Sequence, residues 1–178
     1  SDMFLHSSEI KSAANAPLWG ALYRQYFEEI QQVTASKGAL QVEKKLFVER
    51  NNGQRIELQP VTDGNPLHKG DKVIVRLTLR ADRDMEYVHL KDLRAGCFEP
   101  TQQMAGSSYK DGLWMYHAPE DAAEHFFIHR LPKGTFVLEY AVYTERSGNY
   151  SGGISTIQCL YAPEFVSHTA GSKILVQD

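Results

Sequence analysis

Cysteine is scarce in this chain, with only Cys97 and Cys159 among 178 residues. Two thiols so far apart match no zinc spacing and no Cys-x-x-Cys redox motif. They form either one disulfide in an oxidising compartment or two separate buried apolar thiols, and the second is the expectation. Long apolar runs are missing too. No stretch approaches the roughly 20 residues that cross a bilayer as a helix, so direct membrane insertion is not expected. Positive charge is not in excess: Lys and Arg number 19 against 22 Asp and Glu, for a net charge of −3. Without a basic stripe, a nucleic-acid surface is not expected. The opening SDMFLHSSEIKS lacks the charged-then-apolar pattern of a secretory signal, and Ser1-Asp2-Met3 reads as a cloning scar. The expectation is a chain that starts either in the cytoplasm or in the middle of a larger exported protein. No internal repeat or low-complexity tract occurs.

What is present is a soluble globular composition, 42% hydrophobic and 23% charged, enough for a packed core. From residue 39 onward the text reads as strands separated by turns. In ALQVEKKLFVE (39–49), Leu40, Val42, Lys44, Leu46 and Val48 share one face. Asn51-Asn52-Gly53 follows as a hairpin signal, and QRIELQPV continues with Ile56 and Leu58 in phase. KVIVRLTLRA (72–81) alternates Val73, Val75, Leu77 and Leu79 against polar neighbours. Further strands are expected at 86–93, 113–117, 124–131, 135–145, 154–162 and 172–177. Breaks are expected at 132–135, 146–149 and 151–153, where Gly relaxes the backbone. Many short strands without interleaved helices imply an all-β antiparallel sandwich or barrel, and the sandwich is the expectation. The sandwich domain is placed at residues 39–178.

Residues 1–38 differ and are read as an N-terminal segment left from a preceding domain. APLWGALYRQYFEEIQQV places Leu18, Leu22, Tyr26, Ile30 and Val33 at helical spacing, but Trp19, Ala21, Tyr23 and Phe27 at strand spacing. Period alone leaves helix and strand open over 18–33.

Several residues invite a chemical reading. Gly96-Cys97-Phe98-Glu99-Pro100 stands one letter from Gly-Cys-x-Glu-Gln, in which a Gln side chain acylates the Cys sulfur. Pro100 has no carboxamide, and Gln102 and Gln103 lie too far along for that ring, so no acyl chemistry is expected at Cys97. His125 and His129 are four positions apart, but a strand separates them by about 13 Å, too far to share one ion. HFFIH also lacks the Glu of a zinc protease motif. Asp82, Asp84 and Glu86 lack the glycine of a calcium loop and read as a solvated turn. Gly152-Gly153 builds no nucleophile elbow, and nothing assembles nucleophile, base and oxyanion donor. No cofactor, metal or catalytic residue is therefore expected. Trp114 and Tyr116 share one side of a strand, near Tyr109 and His117. They are expected to fill the core, whereas an exposed position would mark a carbohydrate-binding platform.

Several phrases in order resemble the C-terminal part of bacterial alpha-2-macroglobulin-like proteins. They are LQVEKKLFV, then LHKGDKVIVRLTLRADRDMEYVHLKDLRAGCFEP, then RLPKGTFVLEYAVYTERSGNYSGGISTIQCLYAPEFVSHTAG. WGALYRQYFEEI resembles the strand leading out of the preceding part. The resemblance implies a macroglobulin/immunoglobulin-like sandwich that is not an enzyme. It implies a module of a periplasmic or cell-envelope protease trap (an endopeptidase inhibitor). In such traps, cleavage of an exposed bait segment releases the rearrangement that entraps the protease, and the thioester lies in a separate upstream helical domain. The implied partners are other domains of the same parent, with proteases met only through the full-length protein. Tyr161, Glu164, Trp19 and Tyr23 are the expected interdomain contacts. Ile157, Cys159 and Tyr161 are expected on one face of a strand that Pro163 terminates. The alternative is a free-standing adhesion or carbohydrate-binding sandwich.

Overall fold

A computed structural model describes residues 38–101 and 104–178. Fourteen strands run through them. In chain order they are β1 (Leu40–Asn51), β2 (Ile56–Pro60), β3 (Leu67–His68), β4 (Lys72–Ala81), β5 (Met85–Leu93), β6 (Phe98–Pro100) and β7 (Gly106–Lys110). They continue as β8 (Leu113–Pro119), β9 (Ala123–Leu131), β10 (Gly134–Thr144), β11 (Gly148–Ser151), β12 (Ser155–Cys159), β13 (Val166–His168) and β14 (Lys173–Gln177). A five-stranded sheet is ordered β2-β1-β4-β10-β6, and a six-stranded sheet β13-β12-β5-β9-β8-β7. Both are antiparallel throughout. A small sheet, β11-β14-β3, contributes Leu67, Ile174 and Val176 to the core.

Alternation dictates the packing, because successive side chains on a strand point to opposite faces. On β4, Val73, Val75, Leu77 and Leu79 are buried, and they meet Val88, Leu90, Phe126, Ile128, Met115 and Ile157 from the six-stranded sheet in one cluster. Each fully buried Val or Leu contributes about 1.5–3 kcal/mol over an exposed one. The antiparallel sandwich expected from the strand pattern is therefore present.

The long strands fall where their alternation places them, and the short ones do not announce themselves. β3, β6, β7, β11 and β13 have between two and five residues each and no apolar alternation. Residues 146–149, expected as a break, run into β11, which pairs with β14. One pair, β14 with β3, is parallel, a departure from the all-antiparallel expectation. Backbone pairing rather than side-chain pattern holds these pieces, so periodicity could not reveal them.

Candidate functional site

Within the core, three strands of the six-stranded sheet carry polar side chains abreast. Asp92 of β5 faces Ser155 of β12 on one side and Glu124 of β9 on the other. Asp92 and Ser155 are fully buried and Glu124 nearly so. The opposite sheet supplies Asp92 with two of its partners, Lys44 and Tyr140. Lys44 Nζ of β1 lies 2.8 Å from Asp92 Oδ1 and donates also to the carbonyls of Leu93 and Gly152, each at 3.0 Å. Ser155 Oγ donates to Asp92 Oδ1 at 2.6 Å, and the Tyr140 hydroxyl of β10 donates to Oδ2. Burial, followed by the Asp92 charge, holds the Tyr140 phenol well above its usual range, so it remains a donor. Gly153, at φ +75°, lets the chain come close to β5: a Cβ there would lie 1.9 Å from the Leu93 carbonyl oxygen.

Beside this group, Arg94 Nη1 donates to Glu124 Oε1 and Nη2 to the Glu120 carbonyl. His117 bonds Glu124 Oε2 through Nε2 and stacks on Phe126 with ring centroids 4.5 Å apart. The buried carboxylates are thus held by cations and hydroxyls from within the domain. A buried charge persists only when so compensated. The arrangement ties the sheets together and leaves neither carboxylate free for acid–base chemistry.

The outer face of the six-stranded sheet has another character. Trp114 is 64% exposed, Tyr109 61% and Tyr116 46%, so the expectation that Trp114 and Tyr116 fill the core is overturned. LWMYH is apolar on both faces, and Leu113 and Met115 take the inward positions instead. The deciding turn is Asp111-Gly112, with φ +52° and +86°, which pairs Lys110 with Leu113 and sets Tyr109 opposite Trp114. That Asp-Gly signal could have located the β7–β8 hairpin from the text alone, though not which of its faces is exposed. Phe127, directly across from Tyr116, is also exposed.

A local distortion adds to this face. Met85 and Val88 of β5 are buried, as are their partners Leu131 and Ile128, with two exposed residues between them on each strand. Both strands therefore carry one residue beyond strict alternation, and Tyr87 absorbs it on β5 at φ +55°. A left-handed non-glycine residue costs about 1–2 kcal/mol. Its ring stands edge-on between His129 at 4.8 Å and Tyr161 at 4.7 Å. A groove of about 350 Å³ runs here, with Tyr87, Leu160 and His129 at one side and Trp114 and Tyr116 at the other. Next to it, His89 Nε2 and His125 Nδ1 are 2.8 Å apart with stacked rings. Burial first, then the neighbouring His125, lowers the His89 pKa.

The expected site residues separate accordingly. Tyr161 is 78% exposed and Glu164 is exposed, while Trp19 and Tyr23 lie outside the described residues, as does the 1–37 segment. Tyr161 does not share a strand face with Ile157 and Cys159. β12 ends at Cys159, where a turn closed by Ala162 N–H to the Cys159 carbonyl, at 3.3 Å, swings Tyr161 outward. Cys97 and Cys159 are free and buried, and burial pushes the Cys97 thiol up to about 11. His125 and His129 find different partners, His89 and Tyr87. Asp84 accepts from the Lys133 N–H at 2.9 Å and from Arg130, which lower its pKa. Among the described residues, no three His, Cys, Asp or Glu gather as metal ligands. The cross-strand His89–His125 pair was not legible, because its register is a tertiary property.

Comparison with known families matches residues 40–164 to the model of the bacterial alpha-2-macroglobulin MG10 domain. Among solved structures, Salmonella alpha-2-macroglobulin reacted with methylamine superposes with a TM-score of 0.61 at 19% identity, over 81% of this chain and 10% of that one. Native Escherichia coli alpha-2-macroglobulin from domain MG7 to the C-terminus gives 0.60 at 15%, over 80% and 24%. The E. coli protein activated by porcine elastase gives 0.59 at 15%, over 80% and 13%. The chain therefore spans a quarter or less of the structures it resembles, and at these identities they establish the fold. No curated protein sequence matches it significantly.

Proposed function

This chain belongs to the bacterial alpha-2-macroglobulin MG10-domain family, and from that premise we propose that it is a non-catalytic module of a larger protease-trapping protein. It makes contacts with other domains of its parent, and proteases are met only by the full-length protein, in the periplasm or cell envelope. The family match over residues 40–164 carries this reading. The core supports it, since Asp92 and Glu124 are occupied by Lys44, Tyr140, Ser155, Arg94 and His117.

The contacts are assigned to Tyr161 and Glu164, with Trp19 and Tyr23 from the preceding segment. Tyr161 presents an apolar ring and a hydroxyl with no partner among the described residues, the amphipathic combination favoured at protein interfaces. The phenol hydroxyls bonded within the described residues are those of Tyr140 and Tyr150, and that of Tyr161 is not among them. Two measurements test the reading. The isolated chain, in molar excess, leaves the activity of trypsin and elastase unchanged. In a parent polypeptide carrying this domain, Tyr161→Ala with Glu164→Lys alters how readily the protein collapses after bait cleavage, followed by native electrophoresis. Inhibition by the isolated chain, or an unaltered collapse, overturns the proposal.

A further inference from the structure

The geometry points to a second role for the outer sheet face: we propose that the groove between Tyr87 and Trp114 binds a neutral oligosaccharide. Charge is the first argument. Among the described residues its lining contains no Lys, Arg, Asp or Glu, so these offer nothing to an anionic headgroup or a charged peptide and suit an uncharged ligand. Size is the second. At about 350 Å³ the groove sits at the lower end of small-ligand sites, which run ~300–1,000 Å³. A stable protein partner instead needs ~800 Å² of closely fitted surface on each side.

The third argument is the kind of surface. A pyranose ring offers weakly positive C–H groups on its faces and hydroxyls around its edge. The faces of Trp114, Tyr116 and Phe127 are the negative ends of their quadrupoles, and the C–H groups of a sugar rest against them favourably. Tyr109 and Trp114 have centroids 5.2 Å apart with planes tilted 42°, and Tyr116 and Phe127 6.4 Å and 41°, so two cross-strand aromatic pairs widen the apolar surface available to a sugar. Polar atoms are interleaved with this apolar surface. Among the described residues the Tyr87 and Tyr116 hydroxyls have no hydrogen-bond partner, and Ser107 and His129 also line the groove. They are available to sugar hydroxyls. Tyr87 is kept in a left-handed conformation with its ring clamped by His129 and Tyr161, so one wall is rigid before any ligand arrives.

The test titrates the purified chain with chitotetraose, cellotetraose and maltotetraose by calorimetry and tryptophan fluorescence, with a sulfated oligosaccharide of similar length as the charged control. One neutral sugar binds saturably, and Trp114→Ala weakens it about tenfold, the scale of one lost aromatic contact. Tyr87→Gly relieves the backbone strain while removing the ring, so it weakens binding without lowering the melting temperature. Tyr143→Ala, an exposed aromatic on the other sheet, leaves binding unchanged. Absence of binding by all three sugars overturns the proposal, as does binding that survives Trp114→Ala or tighter capture of the sulfated sugar. Concentration-dependent self-association that Trp114→Ala abolishes, with no sugar bound, assigns the face to a second copy instead. None of these failures touches the interdomain reading, which is tested on the parent protein.

Discussion

Lys44 and Asp92 belong to opposite sheets, and their charges meet at 2.8 Å with side-chain exposures of 8% and 0%. The pair closes the sandwich at one end of its core, and the Leu93 and Gly152 carbonyls use the remaining protons of the ammonium. Such a bridge stabilises less than its Coulomb energy implies, because both charges had to leave water. Breaking it from one side is nonetheless costly.

Lys44→Met therefore leaves Asp92 with its hydroxyl donors and no cation. The expected loss is about 3–5 kcal/mol in urea unfolding. Lys44→Met combined with Asp92→Leu recovers part of that loss, because the stranded charge is gone. Additive losses in the double variant would show that the two residues do not act as a pair.

Gly153→Ala and Gly53→Ala separate two costs of a left-handed glycine. Both have positive φ, +75° and +86°, but only at Gly153 does the new Cβ strike backbone, 1.9 Å from Leu93 O. Gly53→Ala costs about 1–2 kcal/mol from φ alone. Gly153→Ala costs several kcal/mol or prevents folding, since β5 must shift and Gly152 O moves off Lys44. Equal midpoints in denaturant would contradict this.

The Cys97 thiol, pushed up to about 11 by burial, is inert in the native protein. At pH 8 only about one thiol in a thousand is ionised there. Alkylation by iodoacetamide follows global unfolding, and methylamine leaves the intact mass unchanged. A methylamine adduct at Gly96–Pro100 would revive the acyl chemistry that Pro100 argues against.

His89 has its pKa lowered by burial, then by His125 and Lys91, with Glu120 opposing. Its folded form resists a proton that the unfolded chain accepts near pH 6.5. Its contribution to stability is complete above that pH and declines as the pH falls toward the lowered folded value. His89→Gln should flatten this decline in a series of melts between pH 7 and 5. An unchanged pH slope would assign the decline to other groups.

Much of this protein follows from its text. The alternation of Val73, Val75, Leu77 and Leu79 placed β4 and its buried face, because a period of two admits one inward set. Ordered phrases from LQVEKKLFV to YAPE pointed to the family that the match over 40–164 establishes. Pro100, which has no carboxamide, argued against a thioester at Cys97. Lys44 was even placed on the correct face of β1, though not its partner.

Tertiary structure decided the rest. LWMYH is apolar in both phases, so only the Asp111-Gly112 hairpin and the packing of Leu113 and Met115 could send Trp114 and Tyr116 outward. Tyr161 turned out of line because β12 stops at Cys159. The Lys44–Asp92 bridge and the His89–His125 pair join residues 48 and 36 positions apart. Side-chain period reports which face a residue occupies, whereas a partner is set by strand order and register across sheets, and local sequence does not encode those.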